Sequence, residues 1–271
     1  MPYRRGDPLI HTAPLFITAS NVLIRLVAIV GWPIVNALYR YRVRGRQNLA
    51  AAGKTGRPIV FVANHSLPLD SLLHGIAIQP RFTWFTIIEE TVMTSFLGSL
   101  VRLLGGIPIP TDPARLNDID AAIDAAIKAK GSVFFYSEGE CFLRCQEIKP
   151  FKAGAFYYAI KEAALIVPIV SVLKGPKPRG GAATEGRPAD AAGRLSVEVQ
   201  ILPAMEPPAA AGRRSTDLHN AMVLARRVHA EMQGMIDARG GDKSLYRGPM
   251  PRIRGVNDSS RYDSSRSNRE R

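Results

Sequence analysis

From Pro58 onward the chain alternates short apolar runs with longer stretches of helical spacing, and no other feature restricts its fold so strongly. The runs "PIVFVAN", "FTWFTII" (82–88), "GGIPIP", "GSVFFYS" (131–137) and "ALIVPIVSVL" (164–173) read as strands. Their near-continuous apolar character, in place of a period of two, marks strands covered on both faces. Between them, 91–104, 114–130 and 153–163 have helical spacing, clearest where Ala121, Ala122, Ile123, Ala126 and Ile127 form one face. Strands separated by helices pair in parallel. The expected architecture is therefore α/β, a largely parallel mixed sheet flanked by helices. "RLSVEVQIL" (194–202) alternates strictly, as an edge or half-exposed strand does. The stretch 174–193, rich in Gly, Pro and Ala, reads as a surface loop, and 215–238 as a final helix.

Charge is distributed unevenly along the 271 residues. Lys and Arg number 36 against 23 Asp and Glu, a net +13. Residues 1–57 carry 9 basic and 1 acidic side chains, 58–238 carry 18 and 18, and 239–271 carry 9 and 4. Basic ends suit nucleic acid or an anionic membrane surface. At the N-terminus the arginines flank an apolar segment, "PLFITASNVLIRLVAIVGWPIVNALYRYRVRGR", with Trp32, Tyr39 and Tyr41 near its end. That company favours lipid, so an anionic membrane surface is the expected partner and nucleic acid is not. Only 14 residues separate Arg25 from Arg40, against the roughly 20 that a spanning helix needs. The segment is expected to lie in the interface as a peripheral or monotopic anchor, although a helix packed on the body fits the same pattern. Its removal (residues 1–40) is expected to leave the fold intact. From Arg239 the Arg, Ser, Gly and Asp content argues for disorder. The division is then 1–41, amphiphilic membrane-associating helices; 42–238, an α/β domain; and 239–271, a basic disordered tail. Cys141 and Cys145, without a histidine cluster, form neither a disulfide framework nor a metal site and point to a reducing cytoplasm.

Open α/β sheets gather ligands at the carboxyl ends of their strands. In "FVANHSLPLDSLLHG", His65 sits at such an end, Pro68 fixes the turn and Asp70 falls where the next helix begins. Asp70 suits a helix cap, with His65 an ordinary loop residue. It equally suits a carboxylate held against one imidazole nitrogen, leaving the other to take a proton from a hydroxyl. In "FFYSEGECF", Glu138 and Gly139 make a tight turn whose N–H groups could face an anion, with Glu138 organising the loop. Lys149 and Lys152 come at the start of a helix opening near Gly154, a position suited to phosphate, and equally consistent with solvated lysines. No Gly-x-Ser-x-Gly elbow is present, which disfavours a serine hydrolase.

The order "NHSLPLD", "GGIPIP", "SEGE", "FKAGAFYYAIKEAALIVPIV" over about residues 42–202 resembles the glycerolipid acyltransferases, the PlsC-like enzymes that acylate glycerol phosphates and lysophosphatidic acid. The resemblance implies an α/β fold of the glycerol-3-phosphate acyltransferase kind with an N-terminal helical membrane anchor, on the cytoplasmic face of a membrane. It implies acyl transfer from acyl-CoA or acyl carrier protein to a hydroxyl of a lyso-lipid acceptor in phospholipid biosynthesis, with His65 as general base and Asp70 orienting it. The thioester is a co-substrate; no cofactor or metal is implied. Two departures bear on the acceptor. The arginine that usually closes the second block aligns with about Thr111. In the third block, the usual Phe-Pro-Glu-Gly-Thr-Arg has become "YSEGEC", with Ser137, Glu140 and Cys141 in place of Pro, Thr and Arg. Arg144, Lys149 or Lys152 would have to replace the missing phosphate-binding arginines. The acceptor is then expected to differ from lysophosphatidic acid. The altered blocks also admit a catalytically silent lipid-binding protein on the same fold.

Overall fold

The computed structural model describes residues 3, 7–93, 95–110, 115–176 and 194–251. Its centre is one seven-stranded sheet. In chain order the elements are α1 (Pro14–Leu38), β1 (Arg40–Arg44), α2 (Arg46–Lys54), β2 (Ile59–Ala63), α3 (Asp70–Ala77), β3 (Trp84–Ile88), α4 (Glu89–Val92), α5 (Ser95–Leu103), β4 (Gly106–Ile109), α6 (Leu116–Lys130), β5 (Ser132–Tyr136), α7 (Gly154–Lys161), β6 (Leu165–Lys174), β7 (Ser196–Ile201) and α8 (Arg214–Ala238). The strands lie in the order β1-β7-β6-β2-β5-β3-β4. The run from β6 to β4 is parallel throughout, while β7 lies antiparallel to β6 and β1 parallel to β7. The expected mixed, largely parallel α/β sheet is the one found.

The apolar runs form strands because both faces of the sheet are covered. All five residues of β2 are buried. Val60 and Val62 join a core shared with α6, α7 and α8, while Ile59, Phe61 and Ala63 join a second core under α2, α3 and the C-terminal half of α1. Ala122, Ile123, Ala126 and Ile127 of α6 are buried as their spacing requires. That helix stops at Gly131, which takes the left-handed conformation (φ 68°) common just past a helix end.

Three expectations change. Of the two readings of "RLSVEVQIL", the half-exposed strand holds, with Ser196 and Glu198 half-buried, and the edge does not: β7 is inserted between β6 and β1. The edge strand on that side is β1, whose alternation Arg-Tyr-Arg-Val-Arg reads in sequence as the basic end of the anchor; only Tyr41 of the five is buried. The N-terminal region forms one 25-residue helix rather than several, and its inner face packs on the body. Gly31 leaves no room for a Cβ against Leu72, and Ser20 and Val35 are fully buried. Its outer face nonetheless exposes Leu15, Val22, Leu26, Ile29, Val30, Trp32, Ile34 and Leu38. By length and mean hydropathy (1.8) α1 could also cross a membrane. Finally, 239–251 is ordered. Leu245 is 1% exposed, the Asp242 N–H donates to Leu173 O (2.9 Å), and Leu143 and Met250 N–H groups donate to Gly248 and Cys141 carbonyls (both 2.8 Å). One apolar anchor and backbone pairing outweigh a polar, Gly-rich composition there. The stretch 177–193 and the tail from 252 lie outside the described residues.

Candidate active site

The turn after β2 and the loop after β5 meet at the carboxyl end of the parallel strands. His65 Nδ1 lies 2.9 Å from Asp70 Oδ2. The same oxygen accepts the backbone N–H groups of Ser66 (2.6 Å) and Leu67 (2.8 Å). Asp70 therefore does not cap α3, of which it is the first residue; its carboxylate turns back and closes the 65–67 turn. Pro68 and Leu69 complete that turn, and the Asp70 N–H donates to Leu67 O (3.1 Å). Asp70 is fully buried, whereas the His65 side chain is 22% exposed. With a carboxylate as acceptor, Nδ1 carries the proton and Nε2 presents a lone pair.

Glu138 joins the two loops. Its Oε1 accepts the His65 N–H (2.8 Å) and its Oε2 the Lys149 N–H (2.9 Å). Burial pushes its carboxyl up to about 7, against the pull of these two backbone donors. Further backbone bonds run from Phe142 N–H to His65 O (2.9 Å) and from Arg144 N–H to Ser66 O (2.7 Å). Gly139 suits the turn because its φ is +78°, and the flexible end of the Lys152 side chain lies against it. The Lys152 N–H donates to Ser137 O (2.8 Å). Lys152 is exposed and sits over the 138–140 turn. The Lys149 amine instead lies above the Tyr246 ring, 5.1 Å from its centre. Arg144 adopts a left-handed backbone (φ 56°). Burial raises the pKa of the Tyr39 phenol, Asp70 raises it further, and the Arg144 charge offsets part of that rise. Tyr39, at the end of α1, thus shares the field of Arg144 and Asp70.

All seven candidate residues belong to these two loops. Glu138 faces inward as a clamp, while Arg144, Lys149 and Lys152 carry positive charge on the loop after β5. Cys141 and Cys145 are free and buried; burial pushes the Cys141 thiol up to about 12, so it stays protonated. Thr111 lies outside the described residues. Sequence reasoning missed Tyr136, whose ring is stacked on His65, and His74, hydrogen-bonded to the Tyr136 hydroxyl (3.0 Å). The spacing of Asp70 and His74, one helical turn apart, was the available signal.

The arrangement sets a part-exposed imidazole against a fully buried carboxylate, with lysine side chains on the neighbouring loop. The fold is similar to that of the 1-acyl-sn-glycerophosphate (LPA) acyltransferase PlsC from Thermotoga maritima, with a TM-score of 0.58 and 16% sequence identity over 83% of each chain. Residues 40–172 match the model of the acyltransferase family, a span that holds both loops and all of these residues, so the chain carries an acyltransferase domain.

Proposed function

We propose that this acyltransferase moves a fatty acyl group from a thioester, acyl-CoA or acyl carrier protein, to a hydroxyl of a lyso-glycerolipid at a membrane surface. The observation that carries the reading is the Nδ1···Oδ2 contact of 2.9 Å, made by a carboxylate already held by two backbone N–H groups. In this scheme His65 Nε2 takes the hydroxyl proton as the oxygen attacks the thioester carbonyl. Asp70 fixes the tautomer and stabilises the imidazolium. The new C–O bond forms, the C–S bond breaks, and the proton passes to the departing thiolate. No covalent enzyme intermediate is needed, because a thioester is activated enough for direct attack. In the same scheme Lys152, above the Gly139 turn, stabilises the negative charge that develops on the thioester oxygen.

The acceptor reading follows from the same loop. With a buried, protonated thiol at Cys141 and an exposed carboxylate at Glu140, the loop offers a phosphomonoester less positive charge than an arginine would. The acceptor is then a lyso-lipid with another head group. In this reading the apolar outer face of α1 holds the enzyme in the membrane interface as a peripheral or monotopic protein, while Ser20, Gly31 and Val35 keep the inner face on the body.

The test pairs the protein and His65→Ala with each thioester and a panel of lyso-lipids, products being read by mass spectrometry. The expected result is one preferred acceptor and a loss of roughly 10²–10⁴-fold in turnover for the variant. An active His65→Ala would refute the base, equal use of lysophosphatidate and other lyso-lipids the acceptor, and no product from any pair the activity.

A further inference from the structure

Behind His65 lies a ring of contacts that the general-base scheme does not use. Tyr136, the last residue of β5, lays its ring on the imidazole, with centroids 4.1 Å apart and planes within 23°. Its hydroxyl is 3.0 Å from His74 Nδ1, and His74 Nε2 is 2.8 Å from Ser171 Oγ. His74 is fully buried, and burial pushes it down to about 4. It is therefore neutral at pH 7, with one nitrogen donating and the other accepting. Ser171 closes the circuit: its N–H donates to Asn64 Oδ1 (2.8 Å) and its carbonyl accepts from Asn64 Nδ2 (3.3 Å). The chain Asn64–His65–Tyr136–His74–Ser171 thus links β2, β5, α3 and β6 around the base.

This geometry addresses a weakness in the His65–Asp70 pair. One hydrogen bond at Nδ1 fixes the direction of the imidazole but leaves it able to rock about the Nδ1···Oδ2 line. An aromatic ring against one face stops that motion. The same ring face attracts positive charge, which the imidazole acquires only during proton transfer. Tyr136 can do this only if its own ring is held, and its hydroxyl is tied to a buried residue for which no solvent competes. Asp70 and His74 stand one turn apart on α3, so a single helix fixes the imidazole in its plane and, through Tyr136, across it.

We propose that Tyr136 is a positioning residue for the base and that His74 holds it in place; the proposal rests on the reading of His65 as that base. The test measures kcat, KM and melting temperature for Tyr136→Leu, Tyr136→Phe and His74→Gln, with His65→Ala as reference, together with the proton resonances of the His65 ring in the unmodified protein. Tyr136→Leu is expected to lower kcat about 10- to 100-fold, the scale of a small misplacement of a reacting group, with KM changed less than about threefold. Tyr136→Phe keeps the ring and restores most of that loss, while His74→Gln falls between the two. In the unmodified protein the His65 ring protons, assigned by their disappearance in His65→Ala, appear upfield of those of an exposed histidine. An unshifted His65 signal overturns the proposal without any variant having to fold. Folded Tyr136→Leu with full kcat, beside an inactive His65→Ala, overturns it while leaving the base intact. An active His65→Ala removes the reading on which it stands.

Discussion

Two buried groups at the site titrate in opposite senses, and this gives the molecule a testable pH signature. Burial raises Glu138 from 4.5 to about 7, so the native state binds its proton more tightly than the unfolded chain does. Its contribution to stability is present in full below pH 4.5 and is lost as pH rises to 7. Burial lowers His74 from 6.5 to about 4, so its contribution is present above pH 6.5 and lost as pH falls to 4. Each displacement corresponds to about 3 kcal/mol, and between pH 4.5 and 6.5 the two nearly cancel. Urea unfolding of the unmodified protein is expected to give a shallow profile over that range. Glu138→Gln leaves His74 alone, and stability should then rise from pH 4 to 6.5; His74→Gln leaves Glu138, and stability should fall from pH 4.5 to 7. A flat profile for Glu138→Gln would contradict the assignment. His65, Asp70, Glu138 and Gly139 were legible in sequence because local turns and helix starts carry them. Tyr136 and His74 were not, since their partnership spans 62 residues and that of His74 with Ser171 spans 97; no local pattern encodes such a contact.

At the scale of elements, the helices and strands of the middle region were readable because their apolar pattern has one cause, burial on two faces. The N-terminal part was ambiguous where two causes give the same pattern. An apolar segment rimmed by arginines describes a membrane anchor, and it also describes a helix that packs inward while facing lipid outward. Helix α1 packs inward, with Phe16 and Ile17 against one core and Ala28 and Val35 against the other, and its outer face is apolar and exposed. Deleting residues 1–40 should therefore cost on the order of 5 kcal/mol, from several apolar side chains and their contacts at about 1.5–3 kcal/mol each. That is a large share of a domain's stability. Substitution on the outer face separates the two roles. Ile29→Gln with Val30→Gln should weaken partition into neutral vesicles roughly a hundredfold, while unfolding free energy stays within about 0.5 kcal/mol for each exposed site. Co-sedimentation and thermal melts give both readouts. Unchanged vesicle binding by a folded double variant would place the membrane contact elsewhere.

For the molecule as a whole, the charge pattern and the apolar face of α1 should act on membranes by different physics, and salt distinguishes them. Burial of Ile29, Val30 and Trp32 in lipid does not depend on ionic strength, whereas attraction of the basic ends to anionic head groups is screened over about 8 Å at physiological salt. Each Lys or Arg near such a surface is worth about 1 kcal/mol at moderate salt. The neutral middle adds nothing, so the salt-sensitive part belongs to residues 1–57 and 239–271. Within the second of these, 239–251 is fastened to the 141–143 loop beside the site, and residues 252–271 carry 6 basic and 3 acidic side chains. Binding to vesicles with anionic lipid should exceed binding to neutral vesicles at low salt and fall to the neutral level near 0.5 M salt, where screening shortens to roughly 4 Å. Truncation after Pro251 should reduce only the salt-sensitive part, because it removes net charge and leaves α1 in place. Duplex DNA should compete weakly, as it offers phosphates but no apolar phase for α1. If DNA instead displaced the protein from vesicles, or if the truncated protein lost binding at every salt concentration, the membrane contact would lie in the tail and the outer face of α1 would need another partner.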